Sequence, residues 1–127
     1  MKKKFIAYPG SVFIIEWYFD NKGKSEALEY FNELPIERQK KALHLMYVLA
    51  NLGKIFNEEK FRNEGDQIYA LKPTPDRFLC FFFEGAKVII TNAYEKKTAK
   101  MPIREKQRAL KNKADYKARC NEGTYYD

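Results

Sequence analysis

The apolar residues of this chain change period along its length, and each change marks an element. From Ser11 to Phe19, SVFIIEWYF is dense in β-branched and aromatic residues and predicts a strand, central or half-buried. Asp20-Asn21-Lys22-Gly23 has the composition of a loop. A helical period follows. Leu28, Phe31 and Leu34 share one face of SEALEYFNEL, with Ser25 placed as its N-cap. Pro35 interrupts that helix and suits the first turn of the next, IERQKKALHLMYVLANL. There the apolar positions are Ala42, Leu45, Met46, Leu49 and Leu52, and Gly53 stands where a C-terminal cap belongs. Two consecutive helices with so tight a joint predict an antiparallel helical hairpin.

Beyond Asp66 the runs shorten. QIYALK, RFLCFFFE and AKVIITNAY are strand-like, with Pro73-Thr74-Pro75-Asp76 between the first two and Glu84-Gly85 between the last two, which predicts an antiparallel meander. After Pro102, IREKQRALKNKADYKAR predicts a basic helix whose apolar stripe, Ile103, Leu110 and Ala114, is thin. The order β-α-α-β-β-β-α predicts a single α+β domain over residues 1–127, an antiparallel sheet packed against the helical hairpin.

Composition narrows the class. A hydrophobic content of 45% excludes a disordered chain despite 32% charged residues. The start, MKKKFIAYPGSVFII, imitates a secretion signal, but Pro9 and Gly10 cut the apolar run, Glu16 ends it, and no small-x-small cleavage site follows. No apolar run approaches the ~18 residues of a membrane span. Cys80 and Cys120 form neither a metal-type pair nor a disulfide framework. The expectation is a cytoplasmic protein with no membrane partner.

Charge is the strongest functional clue. The net charge is +7, yet Lys96 to Arg119 alone holds ten basic residues and two acids, so the remainder is close to neutral. Such a field suits a nucleic acid or an acidic protein, and the thin apolar stripe argues against a membrane surface. His44, the one histidine, lies mid-helix between two leucines with no acid at a useful spacing, so no Ser-His or Cys-His nucleophile can be built elsewhere. The sequence has no Cys/His metal cluster and no Gly-rich phosphate loop. In a meander, the ends of the first and third strands and the start of the second share one edge. Lys72, Arg77, Tyr94, Lys96, Lys97 and Lys100 are therefore expected to converge there. Such cations can orient RNA and stabilise charge on a phosphoryl group, while the RNA 2′-hydroxyl supplies the nucleophile. Tyr94, or a lysine whose pKa the neighbouring cations depress, is a candidate for proton transfer; Tyr94 could instead stack a base.

These residues carry a resemblance. YEKKTAKMPIREKQRAL resembles the F-x-K-K-T-x-K-x-P-x-x-E-x-x-x-A signature of phage-derived, HigB-like members of the RelE/ParE toxin superfamily, here as Tyr94, Lys96, Lys97, Thr98, Lys100, Pro102, Glu105 and Ala109. IYALKPTPDRFLCFFFEGAKVIITNAY resembles the family's strand block, with Arg77 at the family's arginine, Lys72 in place of another, and Ala70 where a Glu is usual. The resemblance implies a RelE-like fold and a type II toxin. It would be an mRNA interferase that cuts mRNA in the ribosomal A site without cofactor or metal, and its partners a HigA-like helix-turn-helix antitoxin, the ribosome, rRNA and mRNA. Arg77, Lys72, Tyr94 and Lys97 then become the catalytic candidates, and Lys96, Lys100, Arg104 and Arg108 the RNA-binding ones. Related enzymes often place a His near this edge. Its absence here leaves the proton-transfer groups unassigned. The alternative is a non-catalytic member: a ParE-like DNA gyrase inhibitor, or a basic module docking on an acidic partner.

Overall fold

The computed structural model describes residues 3–127; Met1 and Lys2, which begin the signal-like run, lie outside it. The described part of that run forms a hairpin. Strand β1 (Ile6–Pro9) pairs antiparallel with β2 (Ile14–Trp17) through a turn at Pro9-Gly10. Helices α1 (Glu26–Glu33) and α2 (Ile36–Leu52) follow, then β3 (Phe61–Asn63), β4 (Tyr69–Leu71), β5 (Asp76–Phe83), β6 (Lys87–Glu95) and α3 (Ile103–Glu122).

The architecture is α+β, and the sheet is mixed. Its order is β1-β2-β6-β5-β4-β3, and β2 runs parallel to β6 while every other pair is antiparallel. The expectation of a purely antiparallel sheet is corrected at this one joint. Tight turns dictate that chain neighbours pair antiparallel, but β2 and β6 are joined only through the rest of the fold. No local signal specifies that pairing.

Both faces of the sheet are covered. Ile15, Trp17, Leu71, Phe78, Cys80, Val88 and Ile90 pack under α1 and α2. Tyr18, Ile68, Ala70, Leu79, Phe81 and Ile89 pack under α3. The alternation within β5, Phe78 and Cys80 one way, Leu79 and Phe81 the other, is the period-two rule acting on a strand buried on both sides. The predicted helical pair does lie on one face. α1 sits over β6 and α2 over β1 and β2, while the basic helix shields the opposite face.

The helix ends match the sequence expectation. Ser25 Oγ accepts from the Leu28 amide at 3.3 Å, and Gly53 closes α2 at φ 82°. The apolar stripes match less well. Leu52 is 67% exposed and Ala50 is buried in its place. The β1–β2 turn presses onto Ala50, whose carbonyl accepts from the amides of Val12 (2.8 Å) and Phe13 (2.9 Å). Only a small side chain leaves room there. In α3, Ile103 is 77% exposed and Ala114 is also exposed, while Glu105, Ala109 and Tyr116 are buried. A polar contact sets that phase. Asn92 Nδ2 donates to Glu105 Oε1 (3.1 Å) and to its carbonyl (3.2 Å). A stripe sought among apolar residues alone misses a buried Asn–Glu pair.

Gly10 supplies a stability test. A Cβ at this position would collide with the Cβ and carbonyl of Ala50. Gly10→Ala should destabilise the fold by about 3 kcal/mol through overpacking. A urea transition would show a lower midpoint at unchanged slope; an unchanged midpoint would mean the turn can lift away without loss.

Candidate functional site

The strand registers bring the predicted edge together. Leu71 pairs with Phe78, Asp76 with Glu95, and Arg77 with Tyr94. The Lys72 amide donates to the Lys60 carbonyl and the Lys96 amide to the Pro75 carbonyl, each at 2.8 Å. One residue decides which way Arg77 faces. Asp76 is fully buried on the α1/α2 side, where it accepts from the Tyr30 hydroxyl, from Arg38 Nε (2.9 Å) and from Arg38 Nη2 (2.5 Å). Strand alternation then turns Arg77 to the α3 side, and its Nη1 donates to the Asp76 carbonyl at 2.9 Å.

On that side an open groove of about 610 Å³ runs along the sheet edge. Lys60 and Arg62 line it from β3 and its approach, Lys72 and Arg77 from the strand ends, and Tyr94, Lys96 and Lys100 from β6 and the loop to α3. Thr74, Thr98, Ala99 and Met101 complete the wall, with Glu59 and Glu64 as its only acids. Six cations thus face two carboxylates. Among the described residues none of the six has a carboxylate within ion-pair distance, although the fold pairs Arg38, Lys87, Lys106, Arg108 and Arg119 elsewhere. A groove with this surplus attracts a polyanion.

Electrostatics separate the two candidates for proton transfer. Burial holds Lys72 below the ordinary lysine range, Arg77, Arg62 and Lys96 add to that, and Glu64 opposes it. Lys72 Nζ donates to the Glu58 carbonyl at 3.2 Å. Tyr94 moves against expectation. Burial raises its phenol above the ordinary value, and the lowering by Arg77 does not offset it. Of the two candidates the sequence offered for a cation-depressed pKa, burial therefore favours Lys72, and Tyr94 is better suited to donating a hydrogen bond or stacking.

Not every basic candidate enters the groove. Lys97 and Arg104 are exposed and do not line it. Arg108 Nη1 pairs with Glu26 at 3.2 Å and Glu105 at 3.7 Å, and lines a separate depression beside Tyr18 and Lys111. His44 is exposed on α2, in a shallow hollow that shares Lys60 and Thr74 with the groove. Lys60, Arg62, Glu59 and Glu64 escaped the sequence reading because β3 spans three residues and has no hydrophobic alternation. Among the described residues no group of three or more His, Cys, Asp or Glu is placed to hold a metal ion. No helix among them is long and apolar enough to cross a membrane.

A mixed sheet with helices on both faces and a cationic groove at one edge are compatible with the class that the family match supplies, that of the RelE/ParE-like toxins. Residues 29–114, from α1 into α3 and including every strand that borders the groove, match the family described as phage derived protein Gp49-like (DUF891), and the chain belongs to that family. Membership associates it with toxin–antitoxin systems and implies an antitoxin partner. Among curated proteins no relative matches the chain.

The mutual placement of Lys72, Arg77 and Glu64 can be read by NMR titration of the Lys72 ammonium. Its midpoint should lie below 10.5, rise in Arg77→Ala, where a repelling cation is gone, and fall further in Glu64→Gln, where an attracting anion is gone. Identical midpoints in the three proteins would show that these groups do not share one site.

Proposed function

We propose that this chain is the toxin of a type II toxin–antitoxin system and an mRNA endonuclease of the HigB-like kind, acting on the ribosome in the cytoplasm. The observation that carries the reading is the set of cations lining one groove without a carboxylate partner among the described residues, several of them on separate strands. RNA brings its own nucleophile, so the protein has to align the strand, stabilise charge on the phosphoryl oxygens and move two protons.

Arg77 and Lys72 hold the scissile phosphate in this scheme. Arginine offers a planar fork of donors to two oxygens, lysine a compact charge. Tyr94, kept as a phenol, stacks a flanking base or donates to a phosphoryl oxygen. Lys96 and Lys100 grip the strand inside the groove. Lys97 and Arg104, exposed beside it, meet rRNA or mRNA backbone further out, and Arg108 does so only in competition with Glu26 and Glu105. A HigA-like helix-turn-helix antitoxin would silence the toxin by laying an acidic segment along the groove. The fold also suits a non-catalytic gyrase inhibitor, and one experiment separates the two.

Wild type and Arg77→Ala are expressed from an inducible promoter while RNA 5′ ends are mapped and gyrase supercoiling is assayed. New 5′-hydroxyl ends within mRNA should appear with wild type and fall about 100-fold with Arg77→Ala, the usual loss when one donor to a transition-state oxyanion is removed. Growth arrest without new ends, together with blocked supercoiling, would replace the endonuclease with the gyrase reading. Lys100→Ala should weaken ribosome binding and reduce the slope of log affinity against log salt by about 0.7, one phosphate contact on a single strand. An unchanged slope would remove Lys100 from the interface.

A further inference from the structure

The turn between β3 and β4 has an unusual backbone and an unusual anchor. Gly65 (φ 93°), Asp66 (φ 54°) and Gln67 (φ 62°) are successive left-handed residues, and two of them are not glycine. L side chains resist that region, so the surroundings must hold the turn in place. Helix α3 does so. Lys106 Nζ pairs with Asp66 Oδ2 at 2.9 Å and lies directly over Gly65. Lys113 Nζ donates to the Asp66 carbonyl (3.3 Å) and to Gln67 Oε1 (3.2 Å).

Glu64 stands one residue before this clasped turn. The residue directly follows β3, its amide donating to the Ile68 carbonyl at 2.8 Å, and it lines the groove. Its field reaches both Lys72 and Tyr94. The other groove acid, Glu59, is exposed, whereas Glu64 is half-buried. Among the described residues Glu64 has no ion-pair partner despite six cations around the groove, so its oxygens remain free to accept. A half-buried acceptor held ready beside phosphate-binding cations is what abstraction of a hydroxyl proton requires.

We propose that Glu64 is the general base of the cleavage and that the Lys106–Asp66 clasp is its positioning device; this rests on the endonuclease reading. The Glu64 carboxylate takes the proton of the 2′-hydroxyl, the 2′-oxygen forms a bond to phosphorus, and the bond from phosphorus to the 5′-oxygen breaks. The Lys72 ammonium protonates the departing 5′-oxygen. The products are a 2′,3′-cyclic phosphate and a 5′-hydroxyl. Glu64 then returns its proton to solvent and Lys72 regains one. Lys72 suits the acid role because burial and neighbouring cations make it release a proton more readily than an ordinary lysine. Tyr94 does not suit the base role, since burial raises its phenol above the ordinary value.

The test is single-turnover cleavage of an end-labelled mRNA on purified ribosomes, with ribosome affinity measured in parallel. Glu64→Gln keeps the size and polarity of the side chain. It should slow cleavage at saturating ribosome about 100-fold or more with affinity unchanged or tighter, and Glu64→Asp should recover part of the rate. Lys106→Ala should lower the rate at saturation with an unchanged melting temperature, and Lys106→Arg should restore it. Wild-type cleavage matched by Glu64→Gln overturns this assignment and leaves the endonuclease reading intact. Loss of affinity in step with rate makes Glu64 a binding group and equally overturns it. No cleavage by wild type removes both.

Discussion

The fold and the groove both depend on a carboxylate buried where β5 begins. An ion of this kind is costly to hide unless its oxygens are fully engaged, and removing its partner strands a charge in the interior. Asp76 meets that condition with partners from two helices: Tyr30 of α1 and the guanidinium of Arg38 from α2. Arg38 also reaches Glu95, the residue paired with Asp76 across β5 and β6, at 3.4 Å. One cluster therefore fixes two helices to the ends of two central strands. Both partners shift as the arrangement requires. Burial and the Asp76 carboxylate hold the Tyr30 proton on, and the hydrogen bond to Asp76 does the same for Arg38.

This clamp separates charge of opposite purpose by the thickness of one strand. Carboxylates and cations are matched on the α1/α2 side at this end of the sheet; on the α3 side, one residue along, the cations are left unmatched. That imbalance works against folding, since like charges repel in the compact state. At Lys72, burial lowers the pKa most, and repulsion from Arg77, Arg62 and Lys96 adds to it. Engagement of a polyanion relieves the repulsion and raises the Lys72 pKa. A pairing that neutralised the groove within the chain would steady the fold but leave less attraction for a nucleic acid or an acidic partner.

Local rules carried the sequence reading a long way. Caps at Ser25 and Gly53, the prolyl breaks and the meander all follow from residue type and spacing. The meander in turn predicts Lys72, Arg77, Tyr94, Lys96, Lys97 and Lys100 at one edge, and all but Lys97 line the groove. What stayed hidden was non-local. β1 went unread as a strand because its four residues show no clear alternation, and its turn is held by Ala50, forty residues away in sequence. β3 is too short to show a period, so Arg62 and Glu64 went unnoticed. The Asn92–Glu105 contact pairs polar residues thirteen apart, which no hydrophobic stripe reports. The rise in Tyr94's pKa comes from burial under the approach to α3, which outweighs the one charge, Arg77, that the sequence placed correctly.

A single extra residue in β6 completes the site. Cys80 pairs with Ile90 but Leu79 pairs with Asn92, leaving Thr91 as a bulge. Without it, alternation from Ile89 onward would turn Asn92 and Tyr94 toward α1 and α2 and put Ala93 under α3. With it, Ala93 joins the α1/α2 core, and Asn92 and Tyr94 face α3. The bulge is braced on both sides. Thr91 Oγ1 donates to the Leu79 carbonyl at 3.1 Å and lies 2.7 Å from Asn92 Oδ1, and Asn112 of α3 donates to the Thr91 carbonyl at 3.2 Å. Bulges commonly re-aim side chains beside functional sites. Here the shift does two things at once: it gives Glu105 the partner that sets the phase of α3, and it puts Tyr94 opposite Arg77. The helix that delivers the basic loop and the strand that delivers the phenol are therefore fixed by the same inserted residue, so the groove's two walls keep their spacing together.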